Sequence, residues 1–446
     1  MNIGAYWATF AHVDGNSNNS SKVDVWYTNL NNTASNANWN NDAALFLSIM
    51  EQKQNARYDP NPLVKLNSKQ ATVSSGQYVK AVERIRQKMK SYKNLWDKFI
   101  SDENIDLAIK NASRGKKDRK SVKKRIENPK FKEQIKRYAE LFKNKKHTPK
   151  EIYDGIQRKK RSIIVPTFDE QVIHHMVVNI LQPIFMRGMY EHSYGSIPKR
   201  GAHKGKKAII KWIKHDGKNC KYVLKMDIRK YFDSIPHDIY LRKLREIIKD
   251  RRFMAVLEEI TEVIPQGLPL GFYTSQWTAN WYLQDLDHYI KEELHATHYI
   301  RYMDDMVIFG ANKKELHKMR VKVGEYLETE LGLTLKNNWQ VYRFEYNGRY
   351  RFLDFMGFRF YRNRVTLRRS ILLKALRKAR RIFNAEKVTI HAARQMLSYL
   401  GWLSHTSTYG IYEREIKPLV NYQSLKRRLS KYDRRQNGGL IAYGVV

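Results

Sequence analysis

Tyr299-Ile300-Arg301-Tyr302-Met303-Asp304-Asp305-Met306-Val307-Ile308-Phe309 is the stretch on which the reading of this chain turns. Two runs of strand-forming residues flank a pair of adjacent carboxylates. The flanks predict two strands joined by a tight turn. Adjacent Asp residues can simply form such a turn. A turn between two apolar strands is nevertheless a costly place for two like charges unless a cation joins them. A third carboxylate, Asp227, ends another apolar run, Val223-Leu224-Lys225-Met226-Asp227-Ile228. Three carboxylates at strand ends suit hard divalent cations, which take oxygen ligands. Two such ions about 4 Å apart can clamp the attacking and leaving oxygens of a phosphoryl transfer.

Outward from this centre, short β runs alternate with helical periods between residues 160 and 345. Trp277 to Leu294 predicts one helix, with Trp281, Leu283, Leu286, Tyr289 and Ile290 at apolar positions. A short strand pair is expected over Phe355 to Tyr361. It is followed by a helix whose apolar stripe is Leu372, Leu373, Leu376, Ala379, Ile382 and Phe383. The opposite face of that helix carries Lys374, Arg377, Lys378, Arg380 and Arg381, and the chain ends in a basic tail, Lys426-Arg427-Arg428 through Arg434-Arg435. Upstream, residues 110–150 read as basic helices with one thin buried stripe at Ile126, Phe131, Ile135, Tyr138 and Leu141. Helical spacing begins near Gln77, at Tyr78, Val82, Ile85, Met89 and Tyr92. Strands interleaved with helices give an α+β class.

The whole chain has 446 residues and a formal net charge of +39, from 83 Lys plus Arg against 44 Asp plus Glu. That excess predicts a polyanion partner, with nucleic acid ahead of an anionic membrane surface. Hydrophobic residues make up 42% of the chain, which is enough for real cores and excludes wholesale disorder. The single cysteine, Cys220, rules out an internal disulfide framework and reads as a small hydrophobe. No zinc-type Cys/His spacing, signal peptide or long apolar span is found, so a cytoplasmic protein without a membrane anchor is expected. Residues 1–60 differ from the rest: Lys22, Lys53 and Arg57 against Asp14, Asp24, Asp42, Glu51 and Asp59 leave a local charge of −2. Asparagines crowd the same stretch between Asn16 and Asn41, and Asn disfavours helix and strand interiors. A polar, poorly packed leader over 1–75 is expected.

With these residues in view, the chain resembles the reverse transcriptases over roughly residues 90–425. Tyr302-Met303-Asp304-Asp305 resembles their catalytic motif, and Lys225 to Ile235 their first palm motif. The resemblance implies a right-hand polymerase: fingers, a palm of antiparallel sheet with helices, and a helical thumb. It also implies a division into 1–75 (leader), 76–165 (basic helices and the start of the fingers), 166–350 (fingers and palm) and 351–446 (primer grip, thumb and tail). Asp227, Asp304 and Asp305 would be the catalytic metal ligands, with the Ile228 backbone carbonyl beside them, for two Mg²⁺ ions that Mn²⁺ can replace. Phe232 would be the aromatic gate that leaves no room for a 2′-OH. Arg161, in Arg161 to Phe185, would reach the incoming triphosphate. Phe355 to Phe360 resembles the primer grip, and Lys374, Arg377, Lys378 and Arg381 would hold the template–primer duplex. Lys336 lies near the position of the family's proton-donating lysine, which usually falls a few residues later, where this chain has Trp339; a solvated surface lysine is the alternative.

One segment narrows the resemblance. Leu270-Gly271-Phe272-Tyr273-Thr274-Ser275-Gln276 replaces the usual Gln-Gly-x-x-x-Ser-Pro. It is similar to the reverse transcriptases of diversity-generating retroelements, as is Asn338-Trp339-Gln340-Val341. Membership there implies error-prone copying of a template RNA at its adenines. Leu270 and Arg161 would set the error rate, with Gly271 and Gln276 lining the nucleotide pocket. The implied partners are template RNA, cDNA primer and product, dNTPs and a small helical accessory protein. Residues 1–56 would then be translated template repeat, because Asn codons carry adenine at their first two positions. A phage-defence reverse transcriptase and a non-catalytic RNA-binding scaffold are the rival readings. A group II intron enzyme would be expected to carry a maturase region beyond the thumb, and about 60 residues follow residue 385.

Overall fold

The structure, a computed structural model, describes residues 91–116, 119–145, 147–154 and 159–436. The expected leader, its template-repeat reading and the helical spacing at Tyr78 to Met89 lie outside the described residues.

The centre is a four-stranded antiparallel sheet. Its strands are β3 (Tyr222–Asp227), β4 (His298–Tyr302), β5 (Asp305–Gly310) and β6 (Gln340–Arg343), in the order β4-β5-β3-β6. Val223, Leu224, Met226, Ile300, Met306, Val307 and Ile308 are all buried. These near-continuous apolar runs are what a sheet covered on both faces requires. Ahead of the sheet come helices α1 (Asp102–Ala112), α2 (Lys120–Ile126) and α3 (Phe131–Glu140), and the hairpin β1 (Lys150–Asp154) and β2 (Lys159–Ile163). Two long helices follow, α4 (Phe168–Met186) and α5 (Ala202–His215). Helix α4 starts at a full capping box: the Thr167 side chain accepts from the Glu170 amide, and the Glu170 carboxylate accepts from Thr167 N at 2.7 Å.

Between β3 and β4 lie α6 (His237–Ile247), α7 (Arg251–Thr261) and α8 (Tyr273–Tyr282). Helix α9 (Lys313–Leu331) packs on β3, β5 and β6. Beyond the sheet are three short strands, β7 (Leu353–Phe355), β8 (Phe358–Phe360) and β9 (Val365–Leu367). Helices α10 (Arg369–Phe383), α11 (Ile390–Leu403) and α12 (Tyr422–Gln436) complete the described chain. This is the expected α+β palm sheet with helices, followed by a helical region. Among the described residues no helix is long and apolar enough to cross a membrane.

Four expectations change. The helix predicted over Trp277 to Leu294 is broken. It begins at Tyr273, ends at Tyr282, and resumes as a short helix Gln284–His288 and a π turn Tyr289–Glu293. The apolar positions are nevertheless buried as expected. The break has a cause: the Tyr231 hydroxyl bonds the Ala279 carbonyl (2.5 Å) and Arg301 Nη2 bonds that of Asn280 (3.1 Å). Those are two successive acceptors that a continuing helix would need. Second, the buried stripe of α10 is Ile371, Ala375, Ala379 and Ile382, whereas Leu373 and Phe383 are exposed. Third, Phe131, Ile135 and Ala139 form the buried stripe of the basic region, while Leu141 is 73% exposed. Fourth, the strand pair is three strands, and the basic tail is a helix that packs on α11, with Arg394 paired to Asp433 at 3.0 Å.

Candidate active site

Strands β3 and β5 pair so that Asp227 stands directly opposite Asp305, and Tyr302 opposite Asp305 closes the β4–β5 hairpin. The loop is two residues, Met303 and Asp304, and Met303 holds φ 57°. A left-handed conformation at a non-glycine residue is costly, and it persists only where surrounding contacts over-determine it. Those contacts are present. Arg301 Nη1 donates to the Met303 carbonyl at 3.0 Å, and Gly195 lies so close that a Cβ there would sit 2.6 Å from Met303 Cγ. Asn280 Nδ2 donates to the Gly195 carbonyl at 2.7 Å, which holds that loop against the turn.

All three carboxylates are buried. Asp227 Oδ1 and Asp305 Oδ1 meet no hydrogen-bond donor. Burial first, then Asp227 and Asp305, hold the Asp304 carboxyl well above the usual carboxylate range. Burial first, with Asp227 acting in the same direction against Lys225, pushes Asp305 up to about 6. Buried, mutually repelling acids with orphaned oxygens are a donor set that fits a hard divalent cation. Among the described residues no group of three or more His, Cys, Asp or Glu side chains is placed so that it could hold a metal ion as it stands. The cation facing Asp227 is instead Lys336, whose ammonium is paired with Oδ2. Residues 334–336 run beside 227–229 and deliver it: Lys336 N donates to the Asp227 carbonyl at 2.8 Å and Arg229 N to that of Thr334 at 2.8 Å. Lys336 is therefore not a solvated surface lysine. Ile228, next along, is buried and bridges to Leu335.

The expected nucleotide-pocket residues fall into two groups. Arg161 lies on β2 opposite Ile152. Three residues on, Ile164 N donates to the Leu270 carbonyl at 2.8 Å. Gly271 follows with φ +109°, and a Cβ there would fall inside the Ile164 carbonyl oxygen. Glycine is required at this crossing. Leu270 and Gly271 are thus tied to the strand that carries Arg161. Phe272 is buried and packs on His174 with ring centroids 4.3 Å apart. Gln276 sits half-buried one turn into α8, and Asn280 Nδ2 reaches its carbonyl at 3.2 Å. Phe232 is half-buried beside Tyr231, and its carbonyl accepts from Leu268 N at 2.7 Å. On α10, Arg377 and Arg381 are exposed, while Lys374 and Lys378 are half-buried.

Sequence reasoning missed the support behind the turn. Arg301 is fully buried and donates to Asp287 through Nε (2.7 Å) and Nη2 (2.5 Å); the Tyr299 hydroxyl donates to the same carboxylate at 2.7 Å. The signal available was a charged residue, Arg301, inside an otherwise apolar strand.

Residues 144–350 match the model of the family described as reverse transcriptase (RNA-dependent DNA polymerase), so this stretch carries a reverse transcriptase domain. The chain is similar to Protein YkfC of Escherichia coli, 23% identical over 145 residues covering 30% of this chain and 38% of that protein. It is also similar to the group II intron-encoded protein LtrA of Lactococcus lactis, 26% identical over 143 residues covering 30% and 23%. The chain spans less than two fifths of the length of these curated relatives. A solved structure of telomerase from Candida tropicalis with a fragment of telomeric RNA aligns with a TM-score of 0.43 at 12% identity, covering 66% of this chain and 54% of that one.

Proposed function

We propose that the chain is an RNA-directed DNA polymerase that extends a cDNA primer on a template RNA. One observation carries the reading: Asp227 and Asp305, cross-strand neighbours with orphaned buried oxygens, lie beside Asp304 on a strained turn. Asp227, Asp304, Asp305 and the Ile228 carbonyl would hold two Mg²⁺ ions, with Mn²⁺ able to replace them. Held there, such ions would supply the positive charge that lowers the pKa of the primer 3′-OH and offsets charge on the leaving pyrophosphate. The protein's own part is positioning: the hairpin fixes the acids, Arg161 faces the triphosphate, and Phe232 excludes the 2′-OH. The basic residues of α10 hold the duplex phosphates.

The test is primer extension on RNA with dNTPs. Asp304→Asn removes one carboxylate charge from the site, so the rate should fall by several decades. Undiminished synthesis by that variant would overturn the assignment. In the same assay Phe232→Ala should admit ribonucleotides.

The finer reading is error-prone synthesis at template adenines, as in diversity-generating retroelements, with a small helical accessory protein. Its support is Leu270-Gly271 through Gln276, set where the loop touches the Arg161 strand. Sequencing the cDNA tests it: substitutions spread evenly over the four template bases, or none above background, would sink it in favour of a phage-defence or other enzyme without adenine bias.

A further inference from the structure

Between β6 and β7 the chain makes a second, smaller hairpin. Phe344 bridges Arg351, and Tyr346 and Arg349 exchange backbone hydrogen bonds at 3.0 Å each way. The two loop residues, Asn347 and Gly348, hold φ 50° and 73°, the backbone of a tight primed turn. Its anchorage is firm. Phe344 is buried edge-on to Phe309, and the buried Glu345 carboxylate accepts from Gly348 N and Arg362 N, both at 2.7 Å.

What this rigid hairpin presents is unusual. Tyr346 is 50% exposed and Tyr350 54% exposed. The Arg362 guanidinium lies 5.3 Å from the Tyr346 ring centroid, and Arg343 lies 4.4 Å from that of Tyr350. Arg343, Arg349 and Arg351 are themselves exposed. Nearby acids are occupied: Glu345 within the hairpin, Asp354 by Arg368 and Asp216 by His298. Each exposed ring, with a guanidinium beside it, offers a stacking surface next to phosphate-binding cations. A duplex hides its base faces, whereas unpaired bases offer them. Because the turn is already ordered, binding loses little freedom there.

The hairpin is remote from the acids. Arg343 pairs with Tyr222, five residues along β3 from Asp227, or about 17 Å at strand rise. We propose that it is a separate site for single-stranded RNA. RNA is assigned rather than DNA on the strength of the proposed function: the single strand that such an enzyme retains is template, since its product leaves as a duplex.

The test compares the full chain, Tyr346→Ala/Tyr350→Ala and Tyr346→Phe/Tyr350→Phe. Each is titrated by fluorescence anisotropy against a 12-nucleotide unstructured RNA and its DNA counterpart, with thermal melting as the fold control. Loss of stacking on two bases should weaken RNA binding at least about tenfold in the Ala pair, and the Phe pair should bind like the parent. Equal affinity in all three would overturn the proposal. So would equal weakening of the Ala and Phe pairs, or a preference for DNA. Extension of a short preformed template–primer should be unchanged in both variants. Binding is read without catalysis, so loss of this site and loss of polymerase activity register separately.

Discussion

Arg301 and Asp287 face each other with both side chains fully shielded from solvent, joined by two parallel hydrogen bonds of 2.7 and 2.5 Å. The same guanidinium reaches the Asn280 side chain and the Met303 carbonyl, so one buried cation links α8, the segment after it and the Met303–Asp304 turn. Removing one partner of such a pair leaves the other charge buried alone, which typically costs 3–5 kcal/mol. Arg301→Met should therefore lower stability by about that much. The double variant Arg301→Met/Asp287→Leu should recover a large part of it. Urea unfolding of the four proteins measures the cycle; additive losses would show that the pair is not the coupling unit.

His174 gives a pH signature. It is wholly buried, and burial lowers its imidazole to about 3. Thr274 lies 3.2 Å from Nδ1; of the charged neighbours, Glu170 acts to raise it and His147 to lower it. The folded value lies below that of the unfolded chain, about 6.5. The unfolded state thus binds the proton first, and stability is full above pH 6.5 and lost as pH falls towards 3. The loss at pH 5.5 relative to pH 8 should be about 1.4 kcal/mol from this residue. His174→Gln should remove that increment from the pH dependence of the unfolding midpoint. An unchanged slope would mean that His174 takes up its proton as readily in the folded chain as in the unfolded one.

Gly271 is open to a sharper test. An alanine there must keep φ +109° and displace the Ile164 carbonyl, which lies on the segment leading out of the Arg161 strand. Gly271→Ala should raise KM for dNTPs by about tenfold or more, since a misplacement near 1 Å can cost 10²-fold. Steady-state extension with varied dNTP decides it. A fall in kcat at constant KM would place the strain on the chemistry instead.

The clustering of the three acids was legible in the sequence because their strands are short, apolar and interrupted by acids, a pattern set by local chemistry. Asp227 opposite Asp305 follows from two such strands pairing in register. The α8 break was not legible, because the carbonyls of Ala279 and Asn280 are taken by Tyr231 and Arg301, which are remote in sequence. The α10 stripe was misread for a related reason. Ala379 and Ile382 lie on the expected stripe, but Ile371 and Ala375 complete it in place of the leucines, because the small Ala375 allows close packing and Leu373 is left in solvent. Lys336 was ambiguous because only the pairing of residues 334–336 with 227–229 carries it to the acid.

That placement of Lys336 leads to the last prediction. Its ammonium occupies Asp227 Oδ2, one of the oxygens that a divalent ion would need. An ion that took Asp227 through Oδ2 would compete with the lysine for that oxygen, and the ammonium would have to swing away to admit it. Lys336→Met keeps the unbranched stem as far as Cε and removes the charged ammonium. Freed of its competitor, Asp227 should bind the ion more readily, and the Mg²⁺ concentration for half-maximal extension should fall by about two- to tenfold, at most the worth of one charge-assisted contact. A Mg²⁺ titration of extension by parent and variant measures this. A drop in kcat with the Mg²⁺ requirement unchanged would instead give Lys336 the proton-donor role towards pyrophosphate. A rise in the Mg²⁺ requirement would mean that the ammonium helps to assemble the site and does not compete for it.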